Sequence, residues 1–290
     1  MNLAQAMSGK EETPTLRSAV SLLGMQVTRD QVCAAQIYRS VTDEFPPVSK
    51  DGKSEGNLLD YVRYAQKAFQ FAEESCKGHQ ESAYAAGALF DIVRLIGAKI
   101  FKAGKSYEEF HDAVFTQGLA SARVGVQIAR RFHNNAFANI IFPACLIHDI
   151  GKLAMELLYP PSSPKSYQGF RNEITKKTPS RQLRHVLEAQ RFGMSHEYYS
   201  AHMTYHHKMF RNCTRAVLFH HDPFIVKTSK KEAYLLGCII ALASNLASNT
   251  GIPKDANDPI YKKWITPDLE TYKVDSKALI EFAKALAGQK

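Results

Sequence analysis

The chain is predicted to be all-α, and three observations carry that prediction. Apolar residues recur at three- and four-residue spacing, as in Leu16, Val20, Leu23 and Val27, then Val32, Ala35 and Tyr38. That is the period of a helix with one buried face. Alternation of the strand type is nearly absent. Hydrophobic residues make up 45% and charged residues 22% of 290 residues, with only 12 prolines, which is the composition of an ordered globular chain.

The elements follow in order. Leu16 to Gly24 reads as a helix, and Pro46-Pro47 through Gly56 reads as a linker because Pro and Gly interrupt both regular structures. Helices are then expected at about 58–75, 81–102, 107–132 and 137–157, each with helical apolar spacing. Pro160, Pro161 and Pro164 end the fourth of these, and the polar stretch 162–180 is expected to be a mobile loop of the kind that borders functional sites. Further helices are expected at about 180–192, 196–207, 211–220 and 230–250, and an amphipathic one at about 276–287 through Ala278, Leu279, Phe282 and Leu286. The organisation expected is 1–57 as N-terminal helices with linker, 58–106 as an inserted helical segment, 107–252 as the core and 253–290 as a tail. Ala83 to Leu95 echoes Ile141 to Leu153, with Phe90 and Asp91 where His148 and Asp149 stand. A decayed repeat and a coincidence of Ala/Leu-rich helices are both open readings.

The residues that carry chemistry begin at His148-Asp149-Ile150-Gly151-Lys152. An imidazole and a carboxylate side by side can share one metal ion, and the carboxylate can also bridge two. Lys152 follows His148 by four residues and Asp149 by three, which puts it on the same helical face, where its ammonium can meet a phosphate oxygen. The plainer reading is a buried His, a capping Asp and a lysine reaching outward. His196 and the pair His220-His221 lie downstream on separate helical segments, and together with Asp149 they make an inward-facing ligand set of the kind helical bundles build. His202, His206 and His207 lie in a polar stretch and read as surface residues.

At these residues the chain resembles the HD superfamily, and within it the HDOD branch of bacterial signalling proteins. The resemblance rests on Cys145 to Leu153, on Glu188 to His196 and on Val217 to Pro223, with a weaker echo of an Ala-x-x-x-Leu-Gly helix in Leu16 to Gly24. It implies an HD-type helical bundle with an N-terminal helical subdomain. It also implies a divalent transition ion, iron, manganese, zinc or nickel, with His148, Asp149, His196, His220 and His221 as ligands. The family pattern opens with a His where this chain has Gln117 and closes with an Asp where it has Ser244. An amide and a hydroxyl are poor substitutes for imidazole and carboxylate. By the resemblance one of two metal sites loses two ligands, and the other keeps Asp149, His196, His220 and His221. An empty pocket held by hydrogen bonds is the competing expectation. His111 precedes Gln117 by six residues, about 9 Å along a helix axis, too far for a simple exchange.

A two-metal hydrolase uses both ions to clamp the attacking and leaving oxygens. The expected function is therefore a cytoplasmic bacterial signalling module that binds a protein or nucleotide partner, with hydrolase activity lost or reduced. The alternative is a metal-dependent phosphohydrolase acting on nucleotides or cyclic dinucleotides, with Lys152 as its catalytic cation. The five cysteines, Cys33, Cys76, Cys145, Cys213 and Cys238, form no Cys-x-x-Cys pair, so reduced thiols are expected. No apolar signal core opens the chain and no membrane span is expected. The net charge of +9 raises nucleic-acid binding as a third reading. The basic residues are spread along the chain, which favours a solvated surface instead.

Overall fold

A computed structural model describes residues 58–133, 140–177, 181–206, 208–226 and 231–248, together with residues 30, 32–37, 39 and 137. The expected helix at 16–24, the linker at 46–56, His207 and the tail at 253–290 lie outside the described residues. Among the described residues every regular element is helical and there is no strand, as the periodicity requires.

A 3-10 turn over Leu58–Val62 leads into α1 (Arg63–Ser75), which is antiparallel to α2 (Gln80–Lys99). Small residues, Ala65, Ala68 and Ala72 on α1 and Ala83, Ala86 and Gly87 on α2, are buried between them. Asp91 of α2 is fully buried and accepts hydrogen bonds from the backbone N–H of Tyr64 and Ala65 at 2.9–3.1 Å. It thereby satisfies first-turn amides of α1 that have no intrahelical partner. Burial still pushes its carboxyl up to about 7, against those amide bonds. Phe90 and Asp91, the residues aligned with His148 and Asp149, thus serve packing and capping.

The long helix α3 (Lys105–His133) lies against α2, α4 (Ile141–Ile147) and α10 (Lys231–Ala247). One apolar core joins Tyr64 and Phe90 of the first helices to Phe115, Leu146, Val217 and Ile240. The segment 58–99 therefore shares its interior with the helices that follow. His111 of α3 sits in an aromatic box, with ring centroids 4.6 Å from Tyr64 and 5.6 Å from Phe90. Its Nε2–H donates to the Phe90 carbonyl at 3.1 Å. Burial lowers its pKa to about 3, so it stays neutral in the fold while an unfolded His protonates below about 6.5. Its contribution to stability is present above pH 6.5 and is lost as the pH falls toward 3. We expect urea unfolding to lose about 2 kcal/mol more between pH 7.5 and pH 5 in the wild type than in His111→Phe. Equal pH slopes in the two proteins would contradict this.

The helix expected over 137–157 is broken. α4 ends at Ile147, residues 148–150 form a turn, and α5 (Gly151–Leu158) begins there. The backbone of His148 stays right-handed, at φ −55° and ψ −33°. The amides of Ile150, Lys152 and Leu153 bond three residues back, to Ile147, Asp149 and Ile150, which is a 3-10 tightening of the chain. The loop expected at 162–180 is a second correction. α6 (Tyr167–Lys177) occupies most of it. Tyr167 and Phe170 are buried and Ile174 packs with them around Met155 and Phe192. Three apolar residues at i, i+3 and i+7 are enough for a helix face, although the residues between them are polar.

α7 (Arg181–Phe192) ends at Gly193, which takes φ +85° and donates its N–H to the Ala189 carbonyl at 2.9 Å. That left-handed residue turns the chain into α8 (His196–His206). A 3-10 turn over Lys208–Cys213, α9 (Thr214–Leu218) and a second turn over Pro223–Val226 lead to α10. None of the five cysteines is in a disulfide, and four are buried. No helix among the described residues is long and apolar enough to cross a membrane.

Candidate metal centre

The α4–α5 turn, the first residue of α8 and the end of α9 converge on one buried point. Asp149, His196, His220 and His221 each present a ligand atom there, all within 4.8 Å of one another. His196 Nε2 is 3.1 Å and His220 Nε2 is 3.9 Å from Asp149 Oδ1. His221 Nε2 is 3.2 Å from His196 Nε2. These four are the residues that the sequence marks as the surviving ligand set. His148, the fifth, stands beside them. Its Nδ1 meets the Cys145 carbonyl at 2.7 Å, and its Nε2 lies 3.2 Å from Ser244 Oγ and 3.3 Å from Asp149 Oδ2.

The donor set fits one transition ion. His220 Nδ1 donates to the Val217 carbonyl at 2.7 Å, which leaves the lone pair on Nε2. That Nε2 and Asp149 Oδ1 are both buried without a hydrogen-bond partner of good geometry. Unpartnered buried polar atoms are costly, and here two of them, of ligating type, face the same point. Burial, followed by the charges on neighbouring imidazoles, holds His220 and His221 well below the ordinary histidine range. Both are therefore neutral, the state that ligates. Burial works against a charged Asp149, but His148 and Lys152 beside it outweigh that and keep the carboxyl well below its usual range.

His196 is oriented from behind. Glu188 Oε2 accepts from its ring Nδ1 at 2.6 Å and from its backbone N–H at 3.0 Å, and Tyr167 Oη donates to the other oxygen of Glu188 at 3.0 Å. A carboxylate on the far nitrogen fixes the ring and raises its basicity. Burial alone lowers the His196 pKa, but Glu188 and Glu197 overcome it and raise it to about 10. Glu188 is correspondingly held near 2, since His196 outweighs the cost of burying it. The sequence marks Glu188 only as part of a longer match and gives no sign of Tyr167, 21 residues earlier and on a segment read as loop. Replacing Glu188 with Gln is expected to lower transition-metal affinity by about 10- to 100-fold, read by competition with a chromophoric chelator. Unchanged affinity would mean that Glu188 serves packing alone.

A cleft of about 340 Å³ opens onto Asp149, His196 and His221. Gln117 and Ser244 line it as well, on facing helices, and the Gln117 side-chain Nε2–H donates to the Ser244 carbonyl at 3.4 Å. The two positions at which the sequence resemblance expects further ligands thus border the centre. Lys152 lines the same cleft and pairs with Asp149 Oδ2 at 2.7 Å. Arg171 and Arg184 line it too, together with Phe110, Val114 and Phe170, and the Arg171 guanidinium lies over the Phe110 ring, 3.6 Å from its centroid. His111 stays in its aromatic box, and His202 and His206 are exposed, as expected for surface residues.

Compared with known proteins, the chain matches the HDOD domain family over residues 97–223, which is 127 of its 290 residues. No curated protein and no solved structure matches it. The matched segment begins ten residues before the expected core and holds every one of the four converging ligands. Residues 97–223 are the part of this chain that is similar to the HDOD domain family, and the likeness covers less than half of its length.

Proposed function

We propose that this chain is a cytoplasmic bacterial signalling module whose HDOD domain holds a single divalent transition ion and binds a protein or nucleotide partner, with hydrolase activity lost or reduced. The observation that carries this reading is the pair Gln117 and Ser244. Both line the cleft beside Asp149, and neither offers the anionic or imidazole donor that a second transition ion needs. Asp149, His196, His220 and His221 would hold the one ion. Iron, manganese, zinc and nickel all suit a set of three imidazoles and one carboxylate. When bound, such an ion supplies positive charge that polarises an oxygen of a ligand in the cleft.

The runner-up reading is a metal-dependent phosphohydrolase acting on nucleotides or cyclic dinucleotides. Lys152, Arg171 and Arg184 favour it, because they bring three cations to the wall of one cleft, and cations recognise phosphate. Lys152 already pairs with Asp149 and Arg171 with Glu156, so much of that charge is compensated within the fold.

The test is metal content measured together with turnover of bis-p-nitrophenyl phosphate. About one ion per chain and negligible turnover are expected. Gln117→His combined with Ser244→Asp is expected to raise the content toward two ions. Robust metal-dependent turnover that disappears in Asp149→Ala would overturn the module reading and install the hydrolase.

A further inference from the structure

Two histidines that the buried centre leaves unused, His202 and His206, stand side by side. Helix α8 turns two different faces to two environments. His196, Ser200 and Thr204 are buried, at four-residue spacing, while Tyr198, His202, Tyr205 and His206 are exposed. His202 and His206 are themselves four apart, and their rings stand 4.5 Å apart between centroids at an interplanar angle of 70°. Residues at i and i+4 of a helix are held as neighbours by the backbone. The two imidazoles therefore need only side-chain rotation to bring one nitrogen each to a common point.

We propose that His202 and His206 form an exposed two-imidazole site for a divalent transition ion, separate from the buried centre and on the opposite face of the same helix. Imidazole-to-metal distances are about 2.0–2.1 Å, and rings already this close can meet that requirement without moving the helix. The site supplies two nitrogens and leaves the remaining positions to water. A tetragonal ion with nitrogen and oxygen ligands suits it best, which puts Cu2+ first, with Ni2+ and Zn2+ weaker along the usual affinity order. The fixed spacing supplies the affinity. Once one imidazole has bound, the second is presented at high effective concentration, and losing it is expected to cost on the order of 10²-fold. Because the helix must be formed for the pair to chelate, Cu2+ also raises the thermal midpoint.

The experiment uses the full chain, without an affinity tag, stripped with a chelator and titrated with Cu2+ alone. Calorimetry reads affinity and stoichiometry, and electron paramagnetic resonance reads the number of nitrogens on the ion. Wild type, His202→Ala, His206→Ala and Asp149→Ala are compared. The altered histidines are exposed, so their variants should fold as the wild type does. Each is expected to weaken one Cu2+ by on the order of 10²-fold and to take its nitrogen signature from two to one, while Asp149→Ala retains that ion. If the buried centre holds no metal, the wild type binds one Cu2+ and the histidine variants still weaken it, so the two claims fail separately. Cu2+ affinity and nitrogen count that are the same in wild type, His202→Ala and His206→Ala would overturn the proposal.

Discussion

Gly151→Ala is expected to destabilise the protein by at least about 3 kcal/mol and to lower the thermal midpoint by roughly 10 °C. Gly151 opens α5 at the point where that helix touches the start of α8. A methyl group there would lie 2.0 Å from the His196 carbonyl oxygen and 2.6 Å from the Ser200 backbone nitrogen. Both are backbone atoms, so no side-chain rotation relieves the overlap. The same glycine donates its N–H to Ser200 Oγ at 2.8 Å, which shows how tightly the two helices are joined. Separating them displaces His196 from Asp149, so metal affinity should fall along with stability. Gly169 supplies the control. It is exposed within α6, where an added methyl would meet only Ser166 at 3.6 Å. Gly169→Ala should stay within about 1 kcal/mol of the wild type. Equal stabilities for the two variants, read by denaturant unfolding, would refute the close-approach account.

Gly151 also shows what the sequence could and could not reveal. His148, Asp149, His196 and the His220-His221 pair are legible because ligand chemistry needs those residue types. The helices around them are legible because their apolar faces repeat at the helical period. The reason for a glycine at 151 is not legible, since the atoms it must avoid belong to residues 45 and 49 positions later. The break at residues 148–150 is hidden for a related reason. Ile147, Ile150 and Leu153 keep helical spacing straight through it, and only the hydrogen-bond register changes. α6 is masked differently. Its three apolar residues are diluted by Gln, Arg, Asn, Glu, Thr and Lys, and its packing partners, Met155 and Phe192, come from other helices. The support of His196 by Glu188 and Tyr167 is tertiary as well. Gln117 and Ser244 were legible as departures from a pattern, but their shared position at the cleft depends on α3 and α10 lying side by side.

Asp149→Ala is expected to take the buried centre from about one transition ion per chain to essentially none. Asp149 is the one carboxylate among the four converging donors, and it is the group that joins them. His196 and His220 approach its Oδ1, and Lys152 and His148 approach its Oδ2. Its removal leaves three imidazoles with no carboxylate ligand among them to offset a divalent ion, beside a lysine whose ion pair has gone. His196→Ala should act in the same direction, because it deletes a donor and strands Glu188 without the partner that keeps it ionised. Breaking a buried pair from one side costs about 3–5 kcal/mol, so both variants should also unfold at lower denaturant concentration. Stability alone therefore cannot separate a metal centre from a packed polar cluster, and the deciding measurement is metal content. Wild type, Asp149→Ala and His196→Ala are stripped, reloaded in turn with excess Zn2+, Mn2+, Ni2+ or, under anaerobic conditions, Fe2+, then desalted and assayed by mass spectrometry. The exposed His202–His206 pair is replaced in all three so that it does not add to the count. One ion in the parent and none in either variant supports the centre. Equal and negligible metal in all three, in chains that circular dichroism shows to be folded, would leave hydrogen bonding as the role of these residues and remove the ion from the proposed function.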